Sequence, residues 1–170
     1  KASTKGEINT HILDSSNEEV FEKFVDALDS NGKLPRTIIH CSENFEEESE
    51  NSNITDQCKQ EFYGLMHLFK TLSKRKHQRA IKILYMINDS GGESSPHKYA
   101  VEGFYKSLVL ENTRFSKKTV IFKEEGEASH QSRNEITGLL LQELSQDFSS
   151  SPEVKYLRKH SSEVFQRYEK

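Results

Sequence analysis

Apolar residues along this chain alternate between two spacings, one typical of strands and the other of helices. Runs in which apolar residues are continuous or alternate predict β-strands at 8–14, 36–41, 80–87, 118–122, 153–158 and 162–168. Between them, apolar residues three or four positions apart predict helices that begin near residues 16, 55, 95 and 133. The elements therefore follow the order β-α-β-α-β-α-β-α-β-β.

Several helix boundaries carry signals of their own. Ser16, followed three residues later by Glu19, predicts a capping box at the start of the first helix. Asn31-Gly32 ends that helix, because both residues tolerate a left-handed backbone. Ser95-Pro96 predicts the start of the third helix, with Ser as cap and Pro as first helical residue. The apolar stripe of this third helix is predicted to consist of Tyr99, Ala100, Phe104, Leu108 and Val109.

The strand "AIKILYMI" at 80–87 is almost continuously apolar, which is typical of a central parallel strand covered on both faces. Strands that alternate with helices require a mostly parallel sheet with helices on both faces. The sequence therefore predicts an α/β fold, a doubly wound Rossmann-like sheet, with residues 1–170 forming a single domain.

Composition narrows the class of protein. Hydrophobic residues are 33% and charged residues 30% of the chain, and the formal net charge is −3, so nucleic acid is not an expected partner. Apolar runs long enough to span a membrane and a secretion signal are not found, and the two cysteines, Cys41 and Cys58, show no motif spacing. We therefore expect a cytoplasmic protein with two thiols. Residues 42–54 are acidic and rich in Ser and Asn, which predicts a mobile loop.

A Rossmann-like sheet invites a search for a nicotinamide cofactor site. None of the eight glycines forms the G-x-G-x-x-G turn that lets a backbone approach a pyrophosphate. In short-chain reductases a Tyr with a Lys four residues later acts as proton donor, whereas Tyr99 is followed at that position by Gly103. Lys98 and Lys106 lie at other positions of the helix, so Tyr99 is expected to be a packing residue. The loop before this helix holds three serines, Ser90, Ser94 and Ser95.

Other patterns of potentially catalytic or metal-binding residues give weaker evidence for a site. His40, at the end of a strand, is a candidate base, although a His at that place is more often a hydrogen-bonded residue of the sheet. The seven histidines form no i,i+4 pair and no H-E-x-x-H motif, and no G-x-S-x-G turn occurs. The residues therefore predict no catalytic, cofactor-binding or metal-binding site in this chain.

The helix "EGFYKSLVLEN" (102–112) resembles the "wGLgrtLalEhP" helix of ketoreductase regions in modular polyketide synthases, with Gly103, Leu108 and Glu111 at matching places. More closely, the chain resembles the structural, non-catalytic subdomain of these regions, or the related pseudo-ketoreductase. "LPRTIIHC" is similar to the "pdgIvHLW" strand of that subdomain, and "TVIF" stands where the family has "rlvDlD". The family's usual Trp is missing, since the chain has no Trp.

The resemblance implies a truncated Rossmann-like, short-chain-reductase-like subdomain. Its implied role is to stabilise a catalytic partner in the same polypeptide, which reduces a β-ketoacyl thioester on an acyl carrier protein with NADPH. The family's catalytic residues and its "TGGtGglG" cofactor loop belong to that partner, so they match nothing here. Residues 159–170 would lead toward the catalytic subdomain, and an edge of the sheet should carry an unpaired strand or exposed apolar patch where the partner docks.

Two other hypotheses remain open at this point. The first is a free-standing flavodoxin-like or short-chain-reductase-like nucleotide-binding enzyme that uses loops at the carboxyl ends of the strands, near His40, Asn88 and Ser90. The second is a protein-interaction module that works through the acidic residues 43–50.

Overall fold

The computed structural model describes residues 10–41, 62–75, 79–89, 96–124, 130–149, 151–158 and 164–169. Its helices are α1 (Glu18–Ser30), α2 (Gly64–Lys74), α3 (Pro96–Glu111) and α4 (His130–Ser145). Its strands are β1 (Thr37–Cys41), β2 (Ile81–Asn88), β3 (Phe115–Glu124), β4 (Glu153–Arg158) and β5 (Gln166–Glu169). The chain divides into two compact units, residues 1–34 with 53–75 and residues 35–52 with 76–170.

The first unit is built on the helix pair α1 and α2. The cap of α1 is Asn17, whose side chain accepts a hydrogen bond from the backbone N–H of Glu19 at 3.1 Å. The prediction of Ser16 as cap is wrong, because the Ser16 hydroxyl instead donates to the carboxylate of Asp14 at 2.7 Å. The predicted end at Asn31-Gly32 is confirmed, and Gly32 takes the left-handed backbone with φ of 64°.

Apolar and ionic contacts hold these two helices together. Their buried apolar residues are Phe21 and Val25 on α1 and Phe69 and Leu72 on α2. At the surface of the pair, Lys70 and Lys74 at the C-terminal end of α2 bind Glu18 and Glu22 of α1, at 2.8 Å and 2.7 Å. The basic end of α2 is thus matched by carboxylates of its neighbour, in addition to the helix dipole.

The predicted first strand at 8–14 is wrong for residues 10–14, which form no strand; residues 8 and 9 lie outside the described residues. A short alternating segment becomes a strand only where another strand offers it backbone partners, and no strand among the described residues pairs with residues 10–14. The predicted loop at 42–54 also lies outside the described residues, as does Cys58.

The second unit is a five-stranded sheet in the order β1-β2-β3-β4-β5 among the described residues. The first four strands are parallel and β5 runs antiparallel to β4. In the register of the parallel strands, Leu84 lies between Ile39 and Lys118. This mostly parallel sheet confirms the predicted α/β, Rossmann-like fold class.

Helices α3 and α4 cover opposite faces of this sheet. The core under α4 consists of Leu84, Val120, Phe122, Phe148, Val154 and Tyr156. On the other face, Glu102 of α3 accepts a hydrogen bond from Thr119, whose side chain points away from that of Val120 by the period of a strand. The prediction of helices on both faces is therefore met within the second unit.

The predicted inward side of α3 is wrong in part, because Tyr99 and Ala100 are exposed, whereas Phe104, Leu108 and Val109 are half-buried. Its buried residues are Lys98, Val101, Glu102 and Tyr105, whereas the side chain of Tyr99 is 52% exposed. A prediction from hydrophobicity alone gives the wrong inward side, because the charged residues Lys98 and Glu102 are buried and bind partners on the sheet. The helix is therefore rotated relative to the stripe that its apolar residues suggest.

Candidate functional site

The carboxyl ends of parallel strands are the usual binding edge of a Rossmann-like sheet, and the candidate residues predicted from the sequence gather there. His40 lies next to the end of β1, Asn88 ends β2, and Lys98 and Tyr99 lie in the first turn of α3. Ser90, Ser94 and Ser95 lie outside the described residues. The structure therefore brings the described candidates to one edge, and their partners decide what they can do.

The side chain of Lys98 is buried and hydrogen-bonded within the fold. Only 5% exposed, it donates from Nζ to the backbone carbonyl of Asn88 at 2.6 Å. Its own carbonyl accepts a hydrogen bond from the Tyr85 hydroxyl at 3.3 Å. The ammonium ties the start of α3 to the end of β2, and this structural role explains a buried lysine at a helix start.

His40 is part of an aromatic cluster. Its ring stacks on Tyr85 with 4.9 Å between centroids, and its Nδ1 lies 3.1 Å from the Tyr105 hydroxyl. Burial lowers the pKa of His40 to about 4, so the imidazole is neutral at neutral pH. Neutral, stacked and hydrogen-bonded to a buried tyrosine, His40 has the contacts of a packing residue.

Tyr99 faces outward, with Gly103 one turn further along α3. A Cβ built at Gly103 meets nothing within 4 Å, so the position that a reductase fills with lysine is bare on this helix. Lys106, in the next turn, lies 3.3 Å from the carboxylate of Glu102. The arrangement required for a Tyr-Lys proton donor is therefore not formed by these residues.

Two adjacent lysines of β3, which the sequence reasoning did not single out, point to opposite faces of the sheet and bind a helix glutamate on each. Lys117 and Thr119 both donate to the carboxylate of Glu102 on α3. Lys118 donates to Glu143 on α4 at 3.0 Å, and both of these side chains are fully buried. The sequence signal for these pairs is two lysines at the start of an apolar strand. Lysines in such a strand are buried only when they have an acidic partner, so they predict a carboxylate on each face.

Glu143 is the centre of a larger network on the α4 face. It accepts hydrogen bonds from the Tyr156 hydroxyl and from Nε of Arg167, each at 2.6 Å. Burial by itself would raise the pKa of Glu143, but the bonds from Arg167, Tyr156 and Lys118 outweigh it and hold the pKa at about 2. Burial, reinforced by the Glu143 carboxylate, raises the pKa of Tyr156 to about 12. The network joins α4 to β3, β4 and β5.

A cavity of about 630 Å³ opens at the other end of the sheet, where β3 and β4 begin. Its walls combine apolar residues with a few charged ones: Val109, Leu110, Phe115, Phe148 and Pro152 with Glu102, Lys106, Lys117, Asp147 and Glu153. The cavity thus lies at the amino edge, away from the candidate residues of the carboxyl edge.

The sheet and helices described above define a Rossmann-like α/β fold. Residues 3–143 match the model of the family described as "Beta-ketoacyl synthase-like, N-terminal", and the chain belongs to that family. Among curated proteins, no relative matches the chain.

Solved structures with similar folds include an N-terminal ketoreductase from a macrolactin assembly line, with a TM-score of 0.67 and 22% identity. That match covers 93% of this chain but only 32% of the ketoreductase, so the chain spans about a third of its length. Together with the family match, it confirms the resemblance to the structural subdomain of polyketide synthase ketoreductases.

Two dehydrogenases share the fold at lower identity. An alcohol dehydrogenase from the archaeon Thermococcus sibiricus, solved with 5-hydroxy-NADP, has a TM-score of 0.62 and 14% identity over 87% of this chain and 72% of its own. A short-chain dehydrogenase/reductase from Vibrio parahaemolyticus has a TM-score of 0.59 and 17% identity over 85% of this chain and 75% of its own. These likenesses establish the fold alone.

Metal-binding clusters and membrane-spanning helices are both missing from the described residues. Within them, no three His, Cys, Asp or Glu side chains are grouped so that they could hold a metal ion. None of the helices in that part of the chain is both long and apolar enough to cross a membrane.

Proposed function

We propose that this chain is a non-catalytic scaffold subdomain of a polyketide synthase ketoreductase region. In this proposal it stabilises a catalytic partner in the same polypeptide, a ketoreductase subdomain or an adjacent synthase domain. That partner reduces β-ketoacyl thioesters held on the phosphopantetheine arm of an acyl carrier protein, as a cytoplasmic step of antibiotic-type biosynthesis. The carrier protein interacts with this chain only through that partner.

The observation that carries the proposal is the use of polar groups at the carboxyl edge. Lys98 donates to Asn88, and His40 lies against Tyr105, so both are engaged within the fold. Tyr99 stands outside this cluster with Gly103, rather than a lysine, one turn away. An active site needs groups that are free to reach a substrate, whereas Lys98 and His40 support the packing of α3 instead.

The same geometry supports the view that NADPH belongs to the partner. A nicotinamide cofactor in this fold needs a glycine turn for its pyrophosphate, and the sequence contains no such turn. The described residues at the carboxyl edge do not fit the cofactor either, because the position one turn after Tyr99 offers no cation for a ribose. We therefore place the cofactor on the partner subdomain.

In this proposal the partner docks at β1. Among the described strands β1 pairs with β2 alone, so it is an edge strand of the described sheet. Thr37, Ile39 and Cys41 are exposed along one face of this strand, with Ile39 48% exposed. An edge strand with an exposed apolar residue is a favourable place for a neighbouring domain to cover.

Calorimetric titration of the 170-residue chain with NADPH tests the proposal. We expect no measurable heat, while a cofactor-binding short-chain reductase run in parallel gives a normal isotherm. Binding at micromolar concentrations would overturn the assignment of the cofactor to the partner. Turnover of a β-ketoacyl thioester that is lost in Tyr99→Phe would overturn the scaffold role itself.

A further inference from the structure

The cavity at the amino edge of β3 and β4, defined above by its lining residues, belongs to neither the carboxyl edge nor the β1 edge. Its volume of about 630 Å³ lies within the roughly 300–1,000 Å³ typical of ligand pockets. The last turn of α3 contributes Val109 and Leu110, and the turn after α4 contributes Phe148. Leu110 is 84% exposed at the rim, so an apolar ligand would remove this side chain from water.

Charges on the α3 side of the cavity leave one cation in excess. The carboxylate of Glu102 already accepts hydrogen bonds from Lys117 and Thr119. Lys106 is a second ammonium on the same carboxylate, at 3.3 Å, and its side chain is 58% exposed. One carboxylate therefore faces two ammonium groups, and the outer one is accessible to an anion from the cavity.

The acidic groups on the opposite wall are already satisfied by neighbours. Asp147 accepts hydrogen bonds from the backbone N–H and the hydroxyl of Ser149, at 3.1 Å and 2.6 Å. Glu153 lies 3.9 Å from the ammonium of Lys155. Asp147 keeps its negative charge and Glu153 has Lys155 as counter-charge, so the positive excess is confined to the α3 side of the cavity, where it lies at Lys106.

We propose that this cavity binds a small amphipathic anion, a medium-chain carboxylate whose apolar chain lies against Val109, Leu110 and Phe148 and whose carboxylate pairs with Lys106. Such a ligand matches both the apolar walls and the extra cation. The proposal is independent of the scaffold role, because the cavity shares no residue with the carboxyl edge or with β1.

Octanoate is a suitable probe, and its binding can be followed by amide chemical shifts of the 170-residue chain. We expect saturable shifts confined to the end of α3, the starts of β3 and β4, and residues 147–149. Octylamine, with the same chain length and opposite charge, should bind several-fold more weakly. Absence of saturable shifts, or equal binding of octylamine, would overturn the proposal.

Matched variants separate the charge from general effects on the fold. Lys106→Gln should weaken octanoate about three- to fivefold, the factor expected for a partly exposed charge pair. Lys123→Gln is its control, since Lys123 is 53% exposed at the far end of β3 and should leave the affinity unchanged.

The apolar contact is tested in the same way. Leu110→Ala should weaken octanoate about twofold to threefold through lost apolar contact. Leu141→Ala on α4, where Leu141 is 61% exposed and outside the cavity, should have no effect. An affinity unchanged in both Lys106→Gln and Leu110→Ala would place octanoate elsewhere and overturn the proposal.

Discussion

Lys117 and Lys118 are neighbours in β3, yet they meet two different environments. Lys118 points toward α4 and is sealed with Glu143, Tyr156 and Arg167, and neither side chain of the Lys118–Glu143 pair is exposed. Lys117 points toward α3 and binds Glu102 beside the cavity, where Lys106 also reaches the carboxylate. Both lysines pair with a glutamate from the helix that covers their face.

The difference between the two pairs lies in what surrounds them. Glu143 and Lys118 have no exposed side-chain surface, and the bonds from Tyr156 and Arg167 to Glu143 hold β4 and β5 to α4. Around Glu102 one wall is open space, so water or a ligand can reach the charges. The Lys118–Glu143 pair thus stabilises the packing of α4 on the sheet, whereas the Lys117–Glu102 pair, of the same composition, borders the proposed binding cavity.

The largest effect is expected from Glu143→Gln. Removing the carboxylate leaves the ammonium of Lys118 buried without its counter-charge, and we expect a loss of roughly 3–5 kcal/mol in the free energy of unfolding. Chemical denaturation followed by circular dichroism measures this loss. If the single variant fails to fold, the double variant Lys118→Met with Glu143→Leu should fold and recover most of the stability. A loss below about 1 kcal/mol would contradict the locked network.

The two faces of the sheet should lose stability in different pH ranges during acid titration. The pKa of His40 falls from 6.5 when unfolded to about 4 when folded, so the unfolded chain takes up the proton first and stability falls as the pH drops from 6.5 to 4. The expected loss is up to about 3 kcal/mol. The pKa of Glu143 is lowered from 4.5 to about 2, so its contribution is lost later, between pH 4.5 and 2.

Stability measured by denaturation at a series of pH values gives both losses. His40→Gln should remove the first and leave the second. A single loss below pH 4.5, in the chain and in the variant alike, would show that His40 is not held neutral by the α3 face.

A smaller effect is expected from Glu102→Gln. Because Lys106 is 58% exposed and the pair of Lys117 and Glu102 borders the cavity, water can partly replace the lost carboxylate. We therefore expect a loss of about 1–2 kcal/mol in the free energy of unfolding, well below that of Glu143→Gln in the same assay. The same substitution removes the anion that competes for Lys106, so octanoate should bind more tightly. Losses of equal size in the two variants would show that the two pairs are equally sealed.

The elements that sequence patterns predicted well are strands with a continuous or an alternating apolar signal. The central strand predicted at 80–87 is Ile81–Asn88, and the strand predicted at 153–158 has those bounds. The last strand, predicted at 162–168, is limited to Gln166–Glu169, with 162 and 163 outside the described residues. Apolar burial on a sheet is enough to predict these strands, whereas their ends depend on pairing.

The features that the sequence did not predict depend on contacts between distant residues. The inward side of α3 was misplaced because Lys98 and Glu102 are charged, and only the fold brings Asn88 and Lys117 to them. Glu143 and Lys118 are likewise 25 residues apart, on a helix and on the strand before it. The cavity has no local pattern, since its walls come from four segments that meet only after the sheet has formed. The placement of residues 159–170 as an exit toward a catalytic subdomain stays a prediction.

The antiparallel course of β5 has a practical consequence. Because β5 reverses direction, Glu169 pairs with Val154, one residue from Glu153 on the cavity wall. A chemical group joined to the chain just after Glu169 would therefore be tethered near the cavity mouth, where a few residues of linker give it an effective concentration on the order of millimolar. A fluorophore attached there should report when the cavity is filled, whereas a bulky tag at the same place would compete with any ligand.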